Sequence, residues 1–295
     1  MHRRELLKMA AAAGTASVLA SRSAEPNSPA GDAPVGSGIK ITDTNVSLFQ
    51  WPFRRLPLDE LNKLVMKLRT LGITQAWAGS FEGVLQRDIA GVNQRLADAC
   101  AGHSTLIPIG SVNPQLPDWT EDLRRCIEQH HMPGIRLHPN YHQYALDDPN
   151  FARLLEIAAR SDRLVQIAAT MEDTRTQHPQ VQVPDVELGP LAELMPRFPR
   201  ARVQILNYRP RKPLIDALAK TPGVYFDTAR ADGTDGVPAL VRQVTQNRVM
   251  FGTHAPFLIP ESALIRLHES SRLDSHAFQR VLYRNAETAL KPAKT

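Results

Sequence analysis

Cysteine is nearly absent from this chain. Cys100 and Cys126 are the only two. Without CxxC spacing they exclude a disulfide-framed fold and a thiolate zinc site. Each falls in a helical pattern, where an isolated cysteine acts as a small buried hydrophobe; outside the cytoplasm a disulfide between them is the alternative, made less necessary by folding before export. A bilayer-spanning run is missing too. The apolar, Ala-rich stretch Met9–Ala20 is about 12 residues long, short of the ~20 that cross a membrane. Aromatic residues make up 6% of the chain, and no Lys/Arg run interleaves with them, which argues against a nucleic-acid surface. No Gly-rich phosphate turn follows the first strand pattern, which argues against a dinucleotide fold.

Charge of either sign is modest. The formal net charge is +5, and Arg3, Arg4, Lys8 and Arg22 against Glu5 place +3 of it in residues 1–24. The remaining +2 describes a mixed solvated surface. That basic start, with its arginine pair and the short apolar run behind it, reads as a twin-arginine export signal over 1–24. Residues 25–38, rich in Pro, Gly, Ser and Ala, read as a disordered linker. The expected destination is the periplasm or the outside, with no membrane contact after cleavage.

What remains, 39–290 with a tail at 291–295, alternates strands and helices. Lys40–Phe53 reads as a strand that runs into a loop. Helical spacing covers Leu58–Leu71, Leu85–Ala101, Trp119–His130, Phe151–Ala159, Val186–Met195, Pro213–Leu218 and Val237–Val244. Strand patterns fall at Ile73–Gly79, Thr105–Val112, Gly134–His138, Leu164–Thr170, Arg202–Asn207, Val224–Thr228 and Arg248–Thr253. Pro260–Leu267 and Ser275–Leu290 end the chain in helix. Eight strand-then-helix units predict a single α/β domain, a (β/α)₈ TIM barrel with an extra C-terminal helix.

In such a barrel, function sits at the C-terminal strand ends. The polar groups expected there are Asn45, Arg136, His138, Glu172, Asn207, Asp227 and His254. Arg136 either clamps a substrate carboxylate or pairs with Asp43 or Asp227 inside the barrel. His138 is a ligand, a general base or a satisfied strand-end histidine. His254 is the leading general-base candidate, since imidazole titrates near neutral pH, and Asp227 is placed to orient it. Either residue can equally be a buried packing group. Trp51, Phe53 and Tyr141 form an apolar wall or core packing. Residues 171–178 are a charged loop that either covers a substrate or is simply solvated.

The strand-one Asp-x-Asn, "GIRLHP" at 134–139, "FPRARV" at 198–203, "VYFDT" at 224–228 and "RVMFGTHAPF" at 248–257 occur in order along the chain. In these motifs the sequence resembles the amidohydrolase family 2 group of metal-dependent (β/α)₈ hydrolases, over Ile39–Ala289. The resemblance implies paired histidines on strand one, where Asn45 and Ser47 stand. It implies a strand-five histidine near Ala168, a strand-six histidine at Asn207 and a strand-eight aspartate at His254. Three protein ligands are needed to hold a catalytic zinc, so the expected cofactor is none.

Three readings follow. The first is an exported hydrolase-like enzyme acting on a C–N, C–O or C–C bond of a small carboxylated or cyclic substrate, working without the usual metal. The second is an inactive barrel that binds a small ligand. The third is a metalloenzyme with a divalent metal on a rearranged set drawn from His138, His142, His178, His254 and nearby acids. The expected partner is a small-molecule substrate, with no nucleic acid.

Overall fold

The computed structural model describes residues 39–233, 235–270 and 272–291. The expected signal, linker and final four residues lie outside them. The strands are β1 (Thr42–Leu48), β2 (Gln75–Ser80), β3 (Leu106–Pro108), β4 (Gly110–Ser111), β5 (Gly134–Leu137), β6 (Leu164–Ala168), β7 (Arg202–Leu206), β8 (Val224–Asp227) and β9 (Val249–Met250). They pair in parallel as β1-β2-β3 and as β4 through β9. The Thr44 N–H donates to Phe251 O at 2.9 Å and the Ser47 N–H to Ala255 O at 2.9 Å, which joins the first strand to the last. The Ile109 N–H donates to Ala78 O at 2.8 Å and joins the two sheets. The result is the expected TIM barrel.

The expected strand 105–112 is split into β3 and β4. Pro108 has no N–H to give, and a proline inside a strand breaks the ladder. The last strand, expected over 248–253, stops at Met250 because the Phe251 N–H turns to Val281 O, 2.8 Å away. On β1, the register slips between Asp43 and Val46, where three steps on β1 match two on β2. Such a bulge re-aims the side chains within it, and Asn45 is one of them.

The outer helices are α1 (Leu61–Thr70), α2 (Ile89–Ala101), α3 (Trp119–Arg124), α4 (Pro139–His142), α5 (Pro149–Arg160) and α6 (Gly189–Leu194). After them come α7 (Leu214–Lys220), α8 (Gly236–Val244), α9 (Pro260–His268), α10 (Ser275–Gln279) and α11 (Asn285–Leu290). The helix expected over 85–101 starts late, at Ile89. Asp88 sets the start by accepting the Gly91 N–H at 2.9 Å. The C-terminal helix closes the bottom of the barrel: Ala286 and Ala289 of α11 pack with Trp77, Ile109, Leu164 and Met250. Asn285 anchors α11 by donating to Gln246 O and Val249 O.

Above that apolar floor, the barrel interior is polar. Gln166 donates to Thr44 O and to Gln204 Oε1, and Gln204 donates to the Thr44 hydroxyl. Every member has a partner, which is the condition for a buried polar network to rigidify a core. The mouth carries a second apolar layer. Trp51 lies edge-on to Phe53, Phe81, Tyr141 and Phe257, with centroids 4.9–5.8 Å apart. These rings, with Leu56, Val84, Ala168 and Met171, form a separate buried cluster over the strand ends.

Candidate active site at the barrel mouth

Three strand ends converge on one carboxylate. Asn45 Nδ2, from the β1 bulge, donates to Asp227 Oδ2 at 2.6 Å and to Asn207 Oδ1 at 2.7 Å. The Asn207 backbone N–H donates to Asp227 Oδ1 at 3.0 Å, and its Nδ2 donates to Thr170 O at 2.8 Å. Asn207 has φ +60°, a left-handed conformation that asparagine tolerates better than most residues. That turn is what aims its own N–H back at Asp227. Burial lifts Asp227 from the ordinary carboxylate range to about 6, against the opposing bonds from Asn45, Asn207 and Ala229. Asn45, Asn207 and Asp227, all expected at the mouth, are thus brought together, and Asp227, expected to orient His254, is bonded to the two asparagines instead.

A second buried carboxylate lies behind the first. Asp43 accepts from the Thr253 hydroxyl at 2.6 Å and from the backbone N–H groups of Thr253 and Asn45 at 3.0 Å each. Burial still raises it to about 7.

His254 stands at the end of the last strand with φ +57°. Its Nε2 lies 2.8 Å from Met171 O and its ring stacks on Phe257 at 4.9 Å. Because a carbonyl only accepts, the proton sits on Nε2, and Nδ1 is left buried without a partner. Burial pushes the imidazole down to about 3, so it is neutral at any ordinary pH. His138 is likewise buried with a bare Nδ1, and burial lowers it well below the usual histidine range. Its ring lies 5.9 Å from His142, whose Nε2 meets Gly83 O at 3.0 Å. His178 is on the exposed loop.

Arg136 is enclosed by protein. It donates to Gln166 Oε1, Val46 O and Ser47 Oγ at 2.9, 2.8 and 3.1 Å. A Cβ on Gly79 would lie 2.7 Å from its Nη1, so the strand beside it must carry glycine there. Burial lowers the guanidinium to about 10. Glu172 is buried and ion-paired with Arg54 Nη2 at 2.7 Å. Arg54, from the loop after β1, thus crosses the mouth to the loop after β6 and also lies over the Phe257 ring at 5.6 Å. Tyr141 belongs to the aromatic cover.

The opening to solvent is off-centre. A cavity of about 220 Å³ lies beside the ends of β6, β7 and β8, lined by Ala169, Thr170, Glu172, Asn207, Tyr208 and three arginines, Arg209, Arg211 and Arg230, among others. Asn207 is shared between this cavity and the Asp227 cluster. Of the residues expected at the mouth, Asn207 and Glu172 line it; Arg136, His138 and His254 do not. The arginines were not anticipated from the sequence. Their signal was position: Asn207-Tyr-Arg-Pro-Arg and Asp227-Thr-Ala-Arg place cations directly after two strand ends.

A family model described as Amidohydrolase matches residues 52–291. Among solved structures, 2,6-dihydroxybenzoate decarboxylase from Rhizobium is similar, with TM-score 0.67, 14% identity, and 86% of this chain and 99% of that chain covered. The 5-carboxyvanillate decarboxylase from Sphingomonas paucimobilis is similar too, with TM-score 0.66, 12% identity, and coverages of 87% and 100%. A dihydroxybenzoic acid decarboxylase from Polaromonas, with bound manganese and the inhibitor 2-nitroresorcinol, has TM-score 0.67, 13% identity, and coverages of 86% and 97%. No curated protein matches the chain.

These structures correct one expectation. The expected cofactor was none, yet the Polaromonas enzyme and 5-carboxyvanillate decarboxylase from Novosphingobium aromaticivorans carry manganese. A metal therefore belongs to the chemistry of the similar structures, and the substitutions at Asn45, Ser47, Ala168 and Asn207 were too narrow a basis for excluding one. The residues present here do not form a ligand set of the usual kind. Among the described residues, no group of three or more His, Cys, Asp or Glu is placed to hold a metal ion. Asn207 Oδ1 and Asp227 Oδ2 each accept a hydrogen bond from Asn45 Nδ2.

Proposed function

We propose, from the premise that the chain belongs to the amidohydrolase family, that it is an exported hydrolase-like enzyme acting on a small carboxylated substrate at the barrel mouth. The carrying observation is the convergence of β1, β7 and β8 on Asp227, one hydrogen bond behind the cavity-lining Asn207. In this reading a water beside Asn207 attacks the substrate's acyl carbon and gives its proton to Asp227. The proton then passes to the departing nitrogen or oxygen as that bond breaks. Asn45 and the Asn207 N–H hold the carboxylate in place throughout. A base with its pKa near the working pH is suited to this exchange. The substrates named for the similar structures, aromatic carboxylates, support a carboxylated ligand.

The test is turnover against a panel of lactones, amides and aromatic carboxylic acids. Asp227→Asn is expected to lower kcat by ~10²–10⁴-fold, the usual contribution of a general base, with the circular dichroism spectrum unchanged. Because the base works deprotonated, kcat should rise with pH through about 6. An Asp227→Asn enzyme with normal kcat would sink this mechanism.

One observation favours a second reading, a small-ligand binding protein. The aromatic cover of Trp51, Phe81 and Phe257 fills the centre of the mouth. Ligand binding without turnover across the whole panel would select it.

A further inference from the structure

Arg230 is 9% exposed and lines the cavity. Among the described residues it makes no hydrogen bond and no ion pair, and its Nε is buried without a partner. A buried guanidinium is strongly disfavoured unless something pairs with it. The neighbouring acids are already engaged. Arg175 takes both oxygens of Asp173 at 2.9 Å, and Arg266 takes Asp232 Oδ1 at 2.9 Å. Arg54 takes Glu172. Arg209, next to Arg230, reaches Asp173 and Asp232 only at 3.6 Å. Burial disfavours the Arg230 cation most, and the Arg209 charge adds to that, against the attraction of Asp232, Asp173 and Asp227. Arg211 lies on the same wall. Asp185 and Glu187 line the same cavity from an exposed stretch of the loop before α6, so an entering anion is repelled there and drawn to the arginines.

We propose that Arg230, with Arg209 and Arg211, forms an anion subsite that holds a carboxylate of the ligand beside Asn207. The guanidinium fork matches a carboxylate with two parallel N–H···O bonds. The cavity volume of about 220 Å³ suits a ligand of one ring or its acyclic equivalent. The subsite deepens the function proposed above and rests on its carboxylated substrate. It assigns that carboxylate to the side wall of the mouth, and it makes a dicarboxylate the fitting substrate, with one group on the arginines and the other free for reaction beside Asn207.

The test is calorimetric titration and thermal shift of the full chain with phthalate, benzoate and inorganic phosphate. Phthalate is expected to bind and raise the melting temperature. Arg230→Gln should weaken phthalate binding at least tenfold, while the ligand-free protein melts at or above the wild-type temperature because an unpaired buried cation has gone. A lower ligand-free melting temperature with binding intact would make Arg230 a structural residue and overturn the proposal. Should Arg230→Gln fail to fold, the exposed pair Arg209→Gln and Arg211→Gln carries the same test, with unchanged phthalate affinity as the overturning result. Tight phosphate binding with no phthalate binding would overturn the carboxylate assignment. The two readings fail separately. Phthalate binding lost in Arg230→Gln without any turnover sinks the enzyme and keeps the subsite. Turnover of a dicarboxylate with KM untouched by Arg230→Gln sinks the subsite and keeps the enzyme.

Discussion

The buried carboxylates Asp43 and Asp227 show how burial and hydrogen bonding compete at single residues. Asp43 accepts three hydrogen bonds, each favouring its charged form, yet burial wins and lifts it from 3.8 to about 7. The unfolded chain protonates Asp43 only below about 3.8. The folded state therefore holds an extra proton between about 3.8 and 7. The contribution of Asp43 to stability is full below that window and is lost as pH rises through it. His254 acts in the opposite sense: folded at about 3 and unfolded near 6.5, it costs stability as pH falls between them. Wild type is thus expected to show a muted net slope in this range. Asp43→Asn removes one arm, so its stability relative to wild type should worsen as pH falls from about 7 to 4. Urea unfolding at several pH values measures this; a difference independent of pH would show that Asp43 keeps an ordinary pKa in the fold. The identities of the mouth residues were legible because strand ends can be read from alternation. Their roles were not. Whether His254 is a base or a neutral donor depends on Met171 O, which lies 83 residues away along the chain. Arg230 looked like any arginine after a strand, since nothing in a sequence tells how deeply a long side chain is buried.

Among the elements, the strands and major helices followed their periodicity, while boundaries moved where one residue intervened. Pro108 split a strand, Asp88 delayed a helix start, and the bulge at Asn45 has no signal in alternation alone. The loop at 171–178 was expected either to cover a substrate or to be solvated. It divides between the two: Met171 and Glu172 are buried over the mouth, and Arg175 and His178 face solvent. Its hold on the opposite side is the Arg54–Glu172 pair, with Arg54 44% exposed. Arg54 is half-exposed, but Glu172 is buried, and taking away its cation leaves a buried carboxylate without a partner. Arg54→Ala is therefore expected to lower the unfolding free energy by about 1–3 kcal/mol, more than a surface pair is worth. It should also loosen the loop over the aromatic cover and raise acrylamide quenching of Trp51, since Trp77 and Trp119 lie outside that cluster. Unchanged quenching would mean that the aromatic cluster holds the loop unaided. A melting temperature drop of more than ten degrees would mean that the ion pair is part of the core.

Taken as a whole molecule, the barrel closes through the bonds of Thr44 and Ser47 to the last strand, and the residues of both edges are contiguous with the mouth. A closed barrel whose interior side chains bond across strands has to be assembled as a unit, because a half-formed one would strand Gln166, Gln204 and Arg136 without partners. This bears on export. The twin-arginine reading of Arg3 and Arg4 implies a protein that folds before it crosses the membrane. The cysteines offer a test of that order. Cys100 and Cys126 are both free and buried, and burial pushes each thiol up to about 12, so neither is a thiolate that an oxidising compartment could pair. We expect the exported protein to keep two free thiols, measured by alkylation after denaturation without reductant. We expect Arg3→Lys with Arg4→Lys to leave the precursor in the cytoplasm, by fractionation and immunoblot. Normal export of the double-lysine precursor would remove the twin-arginine reading. A disulfide in the exported protein would show instead that the chain crosses unfolded and meets the oxidising compartment before its core closes.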